Sequence, residues 1–254
     1  MFRDPARQEA FARDGFAVVP LVDDHGLRRL RELWDDLAPD TVSGIYSNVH
    51  DTSPENNRRV DALFRELFEP RVAELFVDCY VAGNTFLVKG VGEGSESKLH
   101  QDWNNVDEQE AISVALWCPL VDVDEHNGAL QVLPGSHRLF AKARGITTPS
   151  VYLEFDERLE PLLHPVPVPA GTAVFYAHNL FHGSKPNHSD EIRVCAVSGV
   201  LPKGADHLHL WQSPDSRAGT ANRLVITDEF FYSGLLELYG GQVPASARSR
   251  RTRR

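Results

Sequence analysis

The chain lacks any apolar run approaching the roughly 20 residues that a bilayer-crossing helix needs. Its first residues, MFRDPARQEAFARDG, hold no apolar stretch of the secretory kind. Both absences predict a cytoplasmic protein with no membrane partner. Cysteine is scarce: Cys79, Cys118 and Cys195 sit in the apolar strings FVDCYV, ALWCPL and RVCAVS. Three scattered thiols give neither a zinc spacing nor an even disulfide set, so they read as buried and reduced. Positive charge is also in deficit. The net charge is −10, which argues against a nucleic-acid partner. The exception is the end of the chain, where Arg248, Arg250, Arg251, Arg253 and Arg254 cluster. Residues 246–254 are expected to form a disordered, solvated tail, a polyanion contact being the alternative.

What is present is an ordinary globular composition, 42% hydrophobic and 24% charged in 254 residues, enough for one sizeable core. No repeat or linker divides it, so residues 1–245 are expected to be a single domain. The first part reads as helical with one strand. Pro5 to Asp14 is a short helix ended by Gly15, and Phe16 to Pro20 a buried strand. Leu27, Leu30, Leu33, Trp34 and Leu37 recur at helical spacing behind Asp23 and Asp24, which are candidate caps. Thr41 to Pro54 reads as a loop. Asp61 to Cys79 reads as a second helical stretch that Pro70 should break in two.

From about residue 84 the period changes. Short β-branched and aromatic runs appear at Thr85–Val91, Ile112–Leu120, Ala129–Leu133, Val166–Val168, Thr172–Tyr176 and Ile192–Leu201, with turn residues between them. That pattern predicts a sandwich or barrel over about 84–202. Phe140–Leu163 is a loop or insertion with its own short helix, placed to lie over a site. Leu224–Tyr239 reads as a final helix.

His100, Gln101 and Asp102 form an H-x-D triplet, which on a strand sends an imidazole and a carboxylate to one face. A third ligand must come from elsewhere. His182, in FYAHNLFHGSKPN, is the candidate, with His178 as its competitor. Two histidines and one carboxylate on one face of a metal leave three positions open, the arrangement non-haem Fe(II) oxygenases use. Zinc accepts the same ligand set. Ser184 shares a face with His182 on an extended segment. Arg193, in the apolar strand pattern IRVCAVSGV, must find an anion if it points inward. A guanidinium grips a carboxylate with two hydrogen bonds. The distal carboxylate of 2-oxoglutarate meets that need, and zinc alone does not explain the arginine.

Four strings in order carry a family resemblance across roughly residues 9 to 202: FARDGF at Phe11–Phe16, LHQDW at Leu99–Trp103, NGALQVLPGSH at Asn127–His137, and HGSKPN followed by Arg193. Together they resemble the phytanoyl-CoA dioxygenase-like branch of the Fe(II)/2-oxoglutarate oxygenases. The resemblance implies a mainly β protein, with a double-stranded β-helix (a cupin-like jelly roll) behind an N-terminal helical region. It implies iron on His100, Asp102 and His182, 2-oxoglutarate on Ser184 and Arg193, and Trp117 beside that cosubstrate. It implies O₂ as oxidant, with succinate and CO₂ released. In halogenating relatives a small residue stands where Asp102 stands here, so oxygen insertion is expected.

Substrate contacts are expected at Trp103, Asn104 and Asn105, which follow the metal strand, and at Phe140, Arg144, Tyr152 and Trp211 in irregular stretches. Tyr46, Asn48, His50, Arg58 and Arg59 are further polar candidates. The acidic body does not favour coenzyme A phosphates, so a small metabolite, amino acid or natural-product intermediate is expected, free or on a carrier protein. The competing readings are a cupin-like metal enzyme that does not use 2-oxoglutarate and a non-catalytic jelly-roll binding module.

Overall fold

A computed structural model describes residues 1–50, 53–139, 143–145, 156–212, 220–239, 242, 244, 245 and 247–250. The N-terminal helices form where capping and periodicity predict them. In α1 (Pro5–Asp14) the Asp4 side chain accepts from the Ala6 N–H, and Gly15 closes the end at φ 84°, a value glycine adopts without strain. In α2 (Asp24–Leu37) the Asp23 side chain accepts from the Gly26 N–H, and Leu27, Leu30 and Trp34 are buried along one face.

α3 runs unbroken from Pro54 to Leu75, with Pro70 inside it. The expected break does not occur. An internal proline costs a helix about 3 kcal/mol. Here Phe64 and Phe68 before Pro70 and Val72 and Leu75 after it are buried on one stripe, and their burial offsets that cost. Glu66, whose carbonyl loses its helical donor to Pro70, lies on an exposed stretch of α3 where water can take the donor's place.

The β-strands are β1 (Phe16–Pro20), β2 (Ile45–Ser47), β3 (Cys79–Lys89), β4 (Ser97–His100), β5 (Val114–Pro119), β6 (Gln131–Val132), β7 (His164–Pro165), β8 (Thr172–Ala177), β9 (His182–Ser184), β10 (Arg193–Pro202), β11 (Leu208–Trp211), β12 (Asn222–Ile226) and β13 (Ala247–Arg250). A six-stranded antiparallel sheet has the order β1-β8-β5-β10-β3-β2, and a four-stranded one the order β4-β9-β6-β7. These two sheets are the walls of the jelly roll. β5, central in the large sheet, is buried at every position, as its unbroken apolar run requires. β1 sits at the sheet's edge and buries only Val19, so it is less covered than its sequence suggests. β2 and a 3-10 turn (Asn48–His50) occupy part of the expected 41–54 loop.

Two readings of the C-terminal part are corrected. Asn222–Ile226 is a strand, and helical structure begins only at Phe230. Arg223, Val225 and Leu224, Ile226 alternate between the two faces, a period of two that the apolar content masked. The basic stretch is not wholly a free tail: Ala247–Arg250 pairs antiparallel with β12. A third sheet, β11-β12-β13, thus packs over a second small core of Trp211, Leu224, Ile226, Phe230, Leu235 and Leu238. All three cysteines are free and buried. Among the described residues no helix is long and apolar enough to cross a membrane.

Candidate active site

Between the two jelly-roll sheets lies a cavity of about 460 Å³. The short pair β4–β9 builds the rim that carries its candidate metal ligands. His100 and His182 are direct cross-strand partners in that pair, so their rings stand on the same side, with centroids 4.2 Å apart. Asp102 follows β4 at the next position on that face. Its Oδ1 lies 3.8 Å from His100 Nε2 and 3.6 Å from His182 Nε2. One ligand atom from each residue lies within 4.8 Å of the others.

Both imidazoles are oriented by the backbone. His100 Nδ1 lies 2.7 Å from the Lys98 carbonyl and His182 Nδ1 2.9 Å from the Leu180 carbonyl. A carbonyl only accepts, so each Nδ1 carries the proton and each Nε2 presents a lone pair to the common point. This is how proteins fix a metal-binding tautomer. Burial pushes the Asp102 carboxyl up, but His182, His178 and His100 together hold it well below the usual carboxylate range. Asp102 is therefore an anion inside the cavity, in surroundings suited to a divalent cation. Burial opposes charge on His182, and Asp102 more than offsets this, leaving its pKa above the ordinary value.

Arg193 starts β10 and pairs with Lys89 at the end of β3. Both are almost completely buried. The guanidinium stacks over Trp117, 5.1 Å from the ring centre, and donates to the Gly128 carbonyl. Its Nε has no partner, and no ion pair with a carboxylate forms among the described residues. Lys89 Nζ donates to the carbonyls of Ser95 and Lys185. Burial first, and Arg193 second, bring its pKa down to about 7. Ser184 is also on the cavity wall. One end of the cavity thus holds two cations and a hydroxyl with no anion to match. The turn at Asn127–Gly128 makes this possible. Gly128 has φ 78°, and a side chain there would meet the Lys185 carbonyl at 2.7 Å and the Lys89 stem at 2.9 Å.

The residues expected at the substrate divide. Trp103 and Asn105 line the cavity. Asn104 does not; it is buried, and its Oδ1 accepts from the Arg144 N–H at 2.7 Å. Arg144 is no lid residue either. Its Nε donates to the Asp102 carbonyl at 2.6 Å, and its two terminal nitrogens donate to Glu108. It braces the metal-binding segment from behind. Trp211 is buried in the second core. Tyr46 packs against Trp34, and Asn48 accepts from the Phe86 N–H. Arg58 and Arg59 form surface ion pairs with Glu229 and Asp36. Phe140, Tyr152 and the His50 side chain lie outside the described residues.

Three contributors went unread in the sequence, and a fourth, His178, was weighed only as a rival to His182. Lys89 ends a strand pattern and left no mark of its own. Tyr176 and His178 alternate on one face of the β8 segment. Burial and the adjacent Asp102 keep the Tyr176 hydroxyl protonated. Burial takes His178 down to about 4, and its Nδ1 lies 2.8 Å from Ser113 Oγ. That bond occupies Nδ1, and the ligand atoms that lie within reach of one another are those of His100, Asp102 and His182, not His178, which favours His182 as the third ligand. The period-two spacing of Tyr176 and His178 was the available signal. Phe231 was assigned to a helix with no reason to reach the cavity.

Known proteins are similar to this chain in sequence and in fold. An ectoine dioxygenase from Stutzerimonas stutzeri (strain A1501) is 27% identical over 222 residues, covering 73% of this chain and 72% of that enzyme. The peroxisomal phytanoyl-CoA dioxygenase of Mus musculus is 23% identical over 226 residues, 74% of this chain but only 65% of that enzyme. Among solved structures, HygX from Streptomyces hygroscopicus with nickel and 2-oxoglutarate bound superposes with a TM-score of 0.59 at 16% identity, over 85% of this chain and 92% of that one. Residues 4–195 match the phytanoyl-CoA dioxygenase (PhyH) family, to which this chain therefore belongs.

Proposed function

We propose that this chain is a non-haem Fe(II)- and 2-oxoglutarate-dependent oxygenase that oxidises an unactivated C–H bond, by hydroxylation, in a small organic molecule. His100, Asp102 and His182 would hold the iron. Ser184 and Arg193 would hold the distal carboxylate of 2-oxoglutarate, with Lys89 beside them and Trp117 beneath the guanidinium. The observation that carries this reading is the pairing, in one cavity, of a two-histidine, one-carboxylate cluster with a buried arginine that lacks an anion. A buried cation without a counter-charge is costly. A diacid that reaches from the metal to the arginine removes that cost. A binding module has no use for both features.

Iron, when bound, supplies O₂ activation coupled to decarboxylation of the keto acid. The protein's own contribution is positional. The Lys98 and Leu180 carbonyls fix the imidazole tautomers. Arg144 holds the Asp102 backbone. Tyr176, kept protonated, is a donor beside the Asp102 carboxylate.

The test is conversion of 2-oxoglutarate to succinate with Fe(II), ascorbate and O₂. The wild-type protein should form succinate, and Asp102→Ala should lose more than about a hundredfold of that rate, beyond what loss of a group supporting a ligand costs. Full turnover in Asp102→Ala, or none in the wild type with iron bound, would overturn the reading.

A further inference from the structure

We propose that the substrate of this oxygenase presents an uncharged, largely apolar portion to the metal, seated against Phe231 and met by neutral hydrogen-bonding groups. The inference rests on the 2-oxoglutarate reading above, because it concerns the end of the cavity that this cosubstrate leaves free. β10 and β3 line both ends. Arg193 pairs with Lys89 at one, and Gly199 pairs with Ala82 at the other, six residues or about 20 Å further along the strands.

The charged side chains among the described lining residues are Lys89, Asp102 and Arg193. The metal cluster and the cosubstrate account for all three. The far wall offers Ala82, Gly83, Val197, Gly199, Phe231 and Leu235. It adjoins the metal: a Cβ at Gly199 would lie 3.9 Å from His178 Cε1, and His178 neighbours Asp102. The polar groups near it, His178 and Asn105, include no carboxylate, amine or guanidinium. A charged substrate group pushed to this wall would find no charged partner among the described residues there.

Phe231 is a fixed wall. It comes from a segment beyond the family match, which ends at 195. Its ring would stand 3.2 Å from a Cβ at Gly83, so the absence of a side chain at Gly83 lets it close over β3. It stacks on His207 with centroids 5.4 Å apart. The residues around it are tied to α3. The Tyr232 carbonyl accepts from Asn57, the Tyr232 hydroxyl donates to Asp61 at 2.8 Å, and Asp228 pairs with Arg65 at 2.8 Å. Phe230 beside it is fully buried. An aromatic face held this firmly selects for apolar, preferably planar, surface.

The experiment uses three probes of one skeleton, 2-naphthol, naphthalene-2-sulfonate and 2-naphthylmethylammonium, titrated calorimetrically into full-length protein loaded with Ni(II) and 2-oxoglutarate. 2-Oxoglutarate binding is measured first; its absence defeats the underlying reading and is distinct from any result with the naphthyl series. The proposal expects 2-naphthol to bind about 100-fold more tightly than either charged probe, the consequence of burying a charge unpaired. It expects Phe231→Ala to weaken 2-naphthol about tenfold with 2-oxoglutarate affinity unchanged. Phe231→Leu serves in its place if the alanine variant fails to fold. Equal or tighter binding of a charged probe, no binding of 2-naphthol, or indifference to both Phe231 variants would overturn it.

Discussion

The two ends of the cavity are built on the same pair of strands and are chemically opposite. At the Arg193–Lys89 end, two buried basic side chains sit under a tight turn with no carboxylate paired to them among the described residues. At the Gly199–Ala82 end, the wall is glycine, alanine and a phenylalanine borrowed from the C-terminal segment. The first end specifies its occupant by charge and the second by shape. A family can therefore keep one cosubstrate while its members change substrate, because the two specificities rest on different kinds of residue.

Substitutions should separate the ends. The largest effect belongs to Asp102→Ala, which removes the centre that both ends serve and should abolish succinate formation. Arg193→Ala strikes one end alone. Losing a charge-assisted double hydrogen bond should raise the 2-oxoglutarate requirement about 10- to 100-fold, with metal binding and 2-naphthol binding unchanged in calorimetry. Parallel loss of metal affinity would break the division. Arg144→Ala should do the converse. It leaves both ends intact and frees the Asp102 backbone, so metal affinity should fall about tenfold at unaltered affinity for the cosubstrate.

The smallest effect is one of pH. The Lys89 pKa falls from an ordinary 10.5 to about 7 in the folded chain, through burial and then Arg193. A base with a depressed folded pKa favours the unliganded fold as pH rises between those values. Binding of a dianion favours the charged form. The 2-oxoglutarate dissociation constant should therefore weaken as pH climbs through about 7, by up to one proton's slope, and Lys89→Met should flatten that dependence. A profile unchanged by the substitution would place the titration elsewhere.

The same contrast explains what the sequence made legible. His100 and Asp102 were found as an H-x-D triplet, His182 as the third ligand such a pair needs, Ser184 by its spacing from His182, and Arg193 as a charge in an apolar strand pattern that needs an anion. The structure brings all five to one cavity. Short runs of β-branched and aromatic residues between turn residues made β5, β8, β10 and the second half of β3 legible. Lys89 was missed because a lysine at a strand end is ordinarily solvated. Phe231 was missed because an aromatic residue is at home in any core, and only tertiary packing sends it to a cavity. Pro70 misled because local propensity was allowed to outweigh a buried stripe on both sides of it. Leu224–Ile226 was read as the start of a helix because, in a short apolar run, a period of two and one of 3.6 overlap.

The cross-strand pairing of His100 with His182 carries a consequence beyond catalysis. β9 is only three residues long, and its pairing with β4 is interrupted between Ser97 and His100. Such a ribbon has few ladder bonds with which to hold its register. A divalent ion shared by these two side chains would act as a clasp across the ribbon, because whatever binds the folded form alone shifts the folding equilibrium toward it. Metal occupancy should then be readable without any substrate, as slower amide exchange at Leu99 and Gly183 and as a melting temperature that climbs with free metal concentration. In a cell short of iron, the same coupling would make this chain's survival against proteases a record of its loading.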